Sequence, residues 1–281
     1  MPFFSPTQHR SLTPREAREL PEAASEDFFA VPQVLTKEPE DFLWAAQVCA
    51  DRGYRQINLN LGCPSGTVVS KGKGSGMLAD PARLDSFLDT VCARSPIPIS
   101  VKTRLGLTDP EEFPRLLDIF NRYPLELLIL HPRVRKDFYD RPLREDWFSY
   151  CLASSSNPVC RSGGICTRTQ AIFRDIPVMI GRGLIANPAL AQELNGGDAL
   201  TPAALRDFHN RLFAAYCEKY PPHVALGRMR EIAKHMVCCF EQPEKPHKAI
   251  RKASSLRAYS DAIDDLFSTH AFCAHPAFQP D

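Results

Sequence analysis

A TIM-type (β/α)8 barrel lacking its first strand, followed by a small all-helical domain, is what the 281-residue sequence predicts. Three observations lead there. Short apolar runs with strand character alternate six times with stretches of helical period, which means βαβ units and a parallel sheet. Residues capable of chemistry sit toward the C-terminal end of all six runs, where barrel enzymes place their sites; a doubly wound sheet gathers its ligands at one switch point instead. After Gly196-Gly197 the strand signal stops and only helical patterns remain, so the expected domains are 1–197 and 198–281.

Taken in order, residues 1–5 read as the end of a strand, and Thr13-Pro14-Arg15-Glu16 reads as a helix start. The first full strand is predicted over 28–36, ending near Gln33, followed by a helix over 38–52 whose inner face carries Phe42, Leu43, Ala46 and Cys49. Strand 56–61 leads into Gly62-Cys63-Pro64 and a loop with glycine at 66, 72, 74 and 76, then a helix over 81–94. Strands 97–104, 125–133, 157–163 and 177–182 follow, with helices near 110–122, 145–154, 167–174 and 187–194 between and after them. Six strands and a stub fall short of the eight that closure needs. From Thr201, with Pro202 at the first helical position, helices are predicted over 202–219, 224–240, 244–256 and 258–268.

Composition narrows the class. Hydrophobic residues make up 44% of the chain, enough for a sizeable core, and no apolar run reaches the roughly 18 residues of a membrane span. The N-terminus turns polar after Met-Pro-Phe-Phe and does not read as a signal peptide, so a cytoplasmic protein is expected. The ten cysteines are scattered through apolar segments without a C-x-x-C pair, which predicts reduced thiols and no metal site. A net charge of +1 is uninformative, but residues 206–257 hold eleven Lys/Arg against five Asp/Glu, a solvated helix face or a surface for RNA phosphates.

The strand ends supply one thiol (Cys63), one lysine (Lys102), one histidine (His131), one amide (Gln33) and glycine turns at Ser162-Gly163-Gly164 and Gly181-Arg182-Gly183. Backbone N–H groups and a guanidinium at the last two strands suit a phosphate. A lysine inside an apolar strand is costly unless it meets a carboxylate or a bound anion. The absence of paired carboxylates argues against glycosidases, and the absence of a ligand cluster argues against metallohydrolases. The set suits a phosphorylated cofactor, its ring held by Gln33 and Lys102, with a cysteine serving as an acid.

In order and spacing, Asn60-Leu61-Gly62-Cys63-Pro64, Val101-Lys102-Thr103-Arg104, His131-Pro132-Arg133 and Gly181-Arg182-Gly183 resemble the motifs of the tRNA-dihydrouridine synthases, and Val31-Pro32-Gln33-Val34 resembles their upstream glutamine strand. The resemblance implies an FMN-dependent barrel in which NADPH reduces the flavin, hydride passes to C6 of a uracil in tRNA and Cys63 protonates C5. It implies that Gln33, Lys102 and His131 lie at the isoalloxazine and that Ser162, Gly163, Gly164, Gly181 and Arg182 hold the phosphate. Asn60 and Arg133 would meet the substrate, and Lys71, Lys73, Arg135, Lys136 and the cations of the helical tail the tRNA phosphates. A monomer is expected. The chain departs from the family pattern where Ser162-Gly163-Gly164 replaces Asn-Gly-Asp, and where a preceding strand with a Pro-Met turn would stand. The expectation is weak FMN binding and marginal folding. The residues also leave open an FMN barrel acting on a small molecule, and an inactive barrel that still binds RNA.

Overall fold

The computed structural model of the chain describes residues 4–6, 9–20, 29–168, 171 and 175–273. Six strands, β1 (Gln33–Val34), β2 (Ile57–Leu61), β3 (Ile99–Arg104), β4 (Leu127–His131), β5 (Val159–Ser162) and β6 (Val178–Met179), pair in parallel in chain order. At the β1 edge Phe4 makes a parallel bridge to Val34, its N–H donating to the Gln33 carbonyl at 3.0 Å. This is the strand end expected of residues 1–5. β1 is shorter than predicted because Pro32 has no N–H to give the ladder.

Helices α1 (Pro14–Glu19), α2 (Pro39–Asp51), α3 (Gly66–Val69), α4 (Pro81–Arg94), α5 (Phe113–Phe120) and α6 (Glu145–Ser154) belong with these strands. Thr13 and Glu16 cap α1 reciprocally, and Asp80 accepts from the Arg83 amide ahead of Pro81 to start α4 where the sequence places it. Successive helices touch in chain order. Phe42 of α2 meets Phe87 of α4 edge to face at 5.9 Å, and Asp85 of α4 pairs with Arg122 beyond α5 at 2.7 Å. One helix layer with consecutive parallel strands is the wall of a β/α barrel, not a doubly wound sheet.

Register sorts the strand residues onto two faces. Val34, Leu59, Val101, Leu128 and Val159 form one row, and all are buried. Arg161 shares that face and pairs with Glu145 in the first turn of α6, so this is the helix-covered side. The alternate residues point the other way: Gln33 beside Asn58 and Ser100, Asn60 beside Lys102, and Arg104 beside His131. The polar residues flagged at the strand ends therefore share a face.

The loop after β2 is more ordered than its glycines suggest. It forms α3 and a 3-10 helix over Gly74–Ala79, with Gly72 and Gly74 at φ +66° and +57° turning the chain between them.

The chain divides into two compact units, one running to Ser162 and including Ile176–Met179, the other comprising Gly163–Asp175 and Ile180–Asp281. The second is helical: α7 (Arg182–Ala186), α8 (Leu190–Leu194), α9 (Pro202–Lys219), α10 (Pro222–Met236), α11 (Glu244–Lys252) and α12 (Leu256–Thr269). The helix predicted over 187–194 starts only at Leu190, and α7, ahead of it, was not predicted. Pro188 drives Asn187 into extended backbone, and the Asn187 side chain accepts from the Ala189 amide at 3.0 Å. Likewise the helix predicted over 244–256 stops at Lys252, because Ser255 caps α12. The short helix expected near 167–174 falls largely outside the described residues. Leu205, Met229, Ile250, Tyr259 and Leu266 centre the helical core. All ten cysteines are free thiols, and no described helix is long and apolar enough to cross a membrane.

Within that core the His209 Nε2 lies 2.9 Å from the Tyr259 hydroxyl, which donates to the Met229 carbonyl at 3.3 Å. Burial holds the imidazole below its usual range. An imidazole whose folded pKa is depressed gives its full stability above the unfolded value of about 6.5, lost as pH falls toward the folded value. The thermal midpoint should therefore drop between pH 7 and 5, and His209→Gln should make that drop shallower. A variant that loses stability with acid as steeply as the parent would assign the acid sensitivity elsewhere.

Candidate active site

The C-terminal end of β2 builds the centre of the site. Asn60 folds its side chain over its own turn, its Oδ1 accepting from the amides of Gly62 (3.0 Å) and Cys63 (2.9 Å). Its Nδ2 donates to Gln33 Oε1 at 2.8 Å, Gln33 Nε2 donates to Asn58 Oδ1 at 2.7 Å, and Asn58 Nδ2 donates to the Ser100 hydroxyl at 2.9 Å. Each amide in this chain meets a partner that fixes which end is oxygen. One amide N–H of Gln33 and one of Asn60 are not used within it.

The carbonyls of the cysteine turn are tied as well. Gly62 O accepts from Arg104 Nε at 2.9 Å, Cys63 O from the Ser75 hydroxyl at 2.8 Å, and Pro64 O from Arg135 Nε at 3.2 Å. Pro64 has no N–H to satisfy. Every backbone polar group from Gly62 to Pro64 is therefore engaged, and the half-buried Cys63 side chain is the part left to act. Gly74 closes the turn from behind: a Cβ there would stand 2.9 Å from Cys63 Cβ.

Arg104 is 1% exposed and also donates through Nη1 to the carbonyls of Val134 (3.1 Å) and Phe138 (2.7 Å), with its guanidinium carbon 5.1 Å from the Tyr139 ring centre. It staples the cysteine turn to the loop after β4. Sequence reasoning places Arg104 at a strand end and gives it no role. It also sends Arg135 to a tRNA phosphate, whereas the structure turns Arg135 to the Pro64 carbonyl. Ser75 was missed altogether; it stands inside the Lys-Gly-Lys-Gly-Ser-Gly stretch, the one signal that could have found it.

Lys102 projects on the same face, in register with Asn60 on the neighbouring strand. No hydrogen bond or ion pair of its ammonium is found among the described residues. Burial, reinforced by the Arg104 charge, lowers its pKa to about 8. His131 is buried, with Nε2 3.1 Å from Arg133 Nη1; a guanidinium only donates, so Nε2 accepts and the proton belongs on Nδ1. Burial and then the charges of Arg104, Lys102 and Arg133 hold the imidazole well below its usual range, so it is neutral near pH 7. Arg133 also donates to the Arg141 carbonyl and is turned inward. Lys71 is exposed, and Lys73 donates to the Ser5 hydroxyl at 3.3 Å.

Ser162 ends β5, buried and in register with Met179. In the second unit Gly163 and Gly164 adopt φ +97° and +67°, a turn that glycine makes without strain. Gly183 is glycine for packing, since a Cβ there would meet the Ile165 carbonyl oxygen at 2.0 Å. Gly181 is exposed with nothing within 4 Å of where a Cβ would stand, and Arg182 opens α7. Lys245, Lys248, Arg251, Lys252 and Arg257 are all exposed.

This donor set fits the flavin mononucleotide that the sequence resemblance implies. An ammonium without a partner among the described residues, a neutral imidazole and a spare amide N–H share one face with a half-buried thiol, and a ring with electron-rich nitrogen and oxygen edges is what such donors satisfy.

The family model for dihydrouridine synthase (Dus) matches residues 7–279. The tRNA-dihydrouridine(16) synthase of Ralstonia nicotianae is 29% identical over 252 residues, 84% of this chain and 77% of that protein. That of Cupriavidus necator is 28% identical over 237 residues, 78% of this chain and 72% of that protein. The tRNA-dihydrouridine synthase B of Proteus vulgaris is 24% identical over 250 residues, covering 85% and 76%. A solved histamine dehydrogenase from Rhizobium sp. 4-9 superposes with a TM-score of 0.42 at 15% identity, over 61% of this chain and 28% of that one, too slight a likeness to argue from. With the family model spanning nearly its whole length and its cysteine turn at the end of the second parallel strand, the chain belongs to the dihydrouridine synthase family.

Proposed function

We propose that this chain reduces uridines of tRNA to 5,6-dihydrouridine, with bound FMN and with NADPH as reductant. The observation that carries the proposal is the Cys63 turn: its backbone is fully tied, its thiol is left over, and a lysine without a partner among the described residues lies on the same sheet face. Bound FMN would supply the hydride chemistry at C6 of the uracil. The Cys63 thiol gives its proton to C5, so the base gains two hydrogens across its double bond and the thiolate is reprotonated by water. Asn60 holds the Cys63 amide in place and keeps one N–H for the base. Lys102 and Gln33 donate to the flavin ring, and neutral His131 stands beside it, oriented by Arg133. The phosphate contacts of Ser162, Gly163, Gly164, Gly181 and Arg182 belong to the proposal on sequence grounds. The uridine must leave its stack to reach this face, and Lys71, Lys73 and the exposed cations of α11 are offered to the phosphates around it.

The test supplies the FMN-loaded chain with NADPH and tRNA that lacks dihydrouridine. Digested tRNA should show nucleosides heavier by two hydrogens, dependent on both protein and NADPH. A flavin-loaded chain that binds tRNA and yields none would overturn the reading.

A further inference from the structure

The loop after β4 holds a residue that the chemistry above does not use. Phe138 is 41% exposed and sits at φ +47°, ψ −107°. That conformation lies near the first central position of a type II′ turn, which glycine takes freely and a side chain takes at a cost. An exposed phenylalanine gains little from burial, so neither packing nor turn chemistry accounts for it. The surroundings hold it there all the same. Its N–H donates to the Arg135 carbonyl at 3.1 Å, and its carbonyl accepts from buried Arg104 at 2.7 Å. The Arg135 guanidinium carbon lies 5.2 Å from the ring centre, and the same guanidinium reaches Pro64 O, next to Cys63. Two arginines thus fasten an aromatic ring in a strained, exposed pose and join it to the cysteine turn. Residues 133–144 carry five Lys/Arg and two Asp; Arg133 is turned inward and Arg144 pairs with Asp137, leaving half-buried Arg135 and exposed Lys136 and Arg141 as the cations this loop can offer.

We propose that Phe138 is a stacking platform for an unpaired nucleobase of the RNA substrate, beside the base that enters the Cys63 site. The proposal rests on the tRNA reading above. A fixed π-face bordered by cations answers to a flat base on a phosphate chain, and single-stranded RNA is bound by that pairing of contacts. The strain has a purpose under this reading: it presents the ring outward, where a relaxed turn would let it fold back against the loop.

Phe138→Gly and Phe138→Trp test it against the parent, in the full flavin-loaded chain with tRNA and with a short single-stranded oligonucleotide of a tRNA loop. Phe138→Gly should weaken both RNAs on the order of tenfold, the scale of one lost stacked base, and raise KM by more than it lowers kcat. Its thermal midpoint should hold or rise, because glycine adopts this φ without strain. Phe138→Trp should keep the affinity, and its indole fluorescence should be quenched as RNA is added. Unchanged RNA affinity in Phe138→Gly overturns the proposal and points to a protein-facing or idle surface. A lowered midpoint in both variants, with affinity lost in both, overturns it in favour of a structural role. Phe138-dependent tRNA binding without any dihydrouridine would sink the catalytic reading and keep this one, whereas dihydrouridine formation indifferent to residue 138 would do the reverse.

Discussion

Cys63→Ala is expected to lower dihydrouridine formation by roughly 10² or more, the scale of losing a general acid, while flavin content and its reduction by NADPH persist. The geometry makes this a clean deletion. Asn60, Ser75, Arg104 and Arg135 hold the turn through backbone atoms of Gly62, Cys63 and Pro64, none of which the substitution removes. Alanine keeps the Cβ that packs against Gly74. Only the Sγ–H is lost. Single-turnover reactions of the NADPH-reduced protein with tRNA, read as dihydrouridine formed over time, measure the effect directly. A variant that still forms dihydrouridine at the parent rate would remove Cys63 from the chemistry, whatever its position.

Lys102→Met should separate binding from stability with opposite signs. The ammonium has no partner among the described residues, and burial with the neighbouring Arg104 charge brings its pKa down to about 8. Methionine matches its length without the charge, so the flavin-free variant should be more stable, on the order of 1–3 kcal/mol, because burial and the Arg104 charge disfavour the ammonium. Flavin affinity should fall by a factor of roughly 10 to 100, as for a lost charge-assisted hydrogen bond. The two quantities also respond oppositely to pH. The folded pKa lies below the unfolded value near 10.5, so the unfolded chain binds more protons between the two and the parent gains stability relative to the variant as pH rises from about 8. Over the same interval the ammonium that holds the flavin disappears and parent affinity declines, while the variant's affinity should be flat. Thermal midpoints and flavin titrations of both proteins from pH 6.5 to 9.5 would show the crossing. A destabilised Lys102→Met that still takes up flavin normally would make Lys102 a structural residue.

How much of this was legible beforehand depends on the kind of contact. The strands and the helices at 81–94, 145–154 and 202–219 could be read because apolar period and Asp80-Pro81 or Thr201-Pro202 caps are local signals. So could the gathering of Gln33, Asn60, Lys102 and His131, since strand ends in a β/α chain converge. Register was not legible: that Asn60 stands beside Lys102 and Arg104 beside His131 follows from pairing between strands some forty or thirty residues apart. Nor was the direction of long side chains. Arg135 reads as one more surface cation in a basic loop, yet a backbone carbonyl brought near by folding captures it. Pro188 ends α7 before α8 through a rule visible in the sequence, but α7 itself, five residues directly after a glycine turn, is too short to show a helical period.

The amide chain from Ser100 through Asn58 and Gln33 to Asn60 also bears on how the sheet assembles. Its links join residues 42, 25 and 27 positions apart, across three strands, and exist only when β1, β2 and β3 are paired as found. A slip of one residue in β2 would turn Asn58 and Asn60 into the helix layer and bring Ile57, Leu59 and Leu61 onto the polar side. Each stranded amide would then cost about 1–3 kcal/mol, comparable in sum with the whole stability of a domain. The residues that orient the acid therefore double as a proofreading device for the fold, since only the native register satisfies them all.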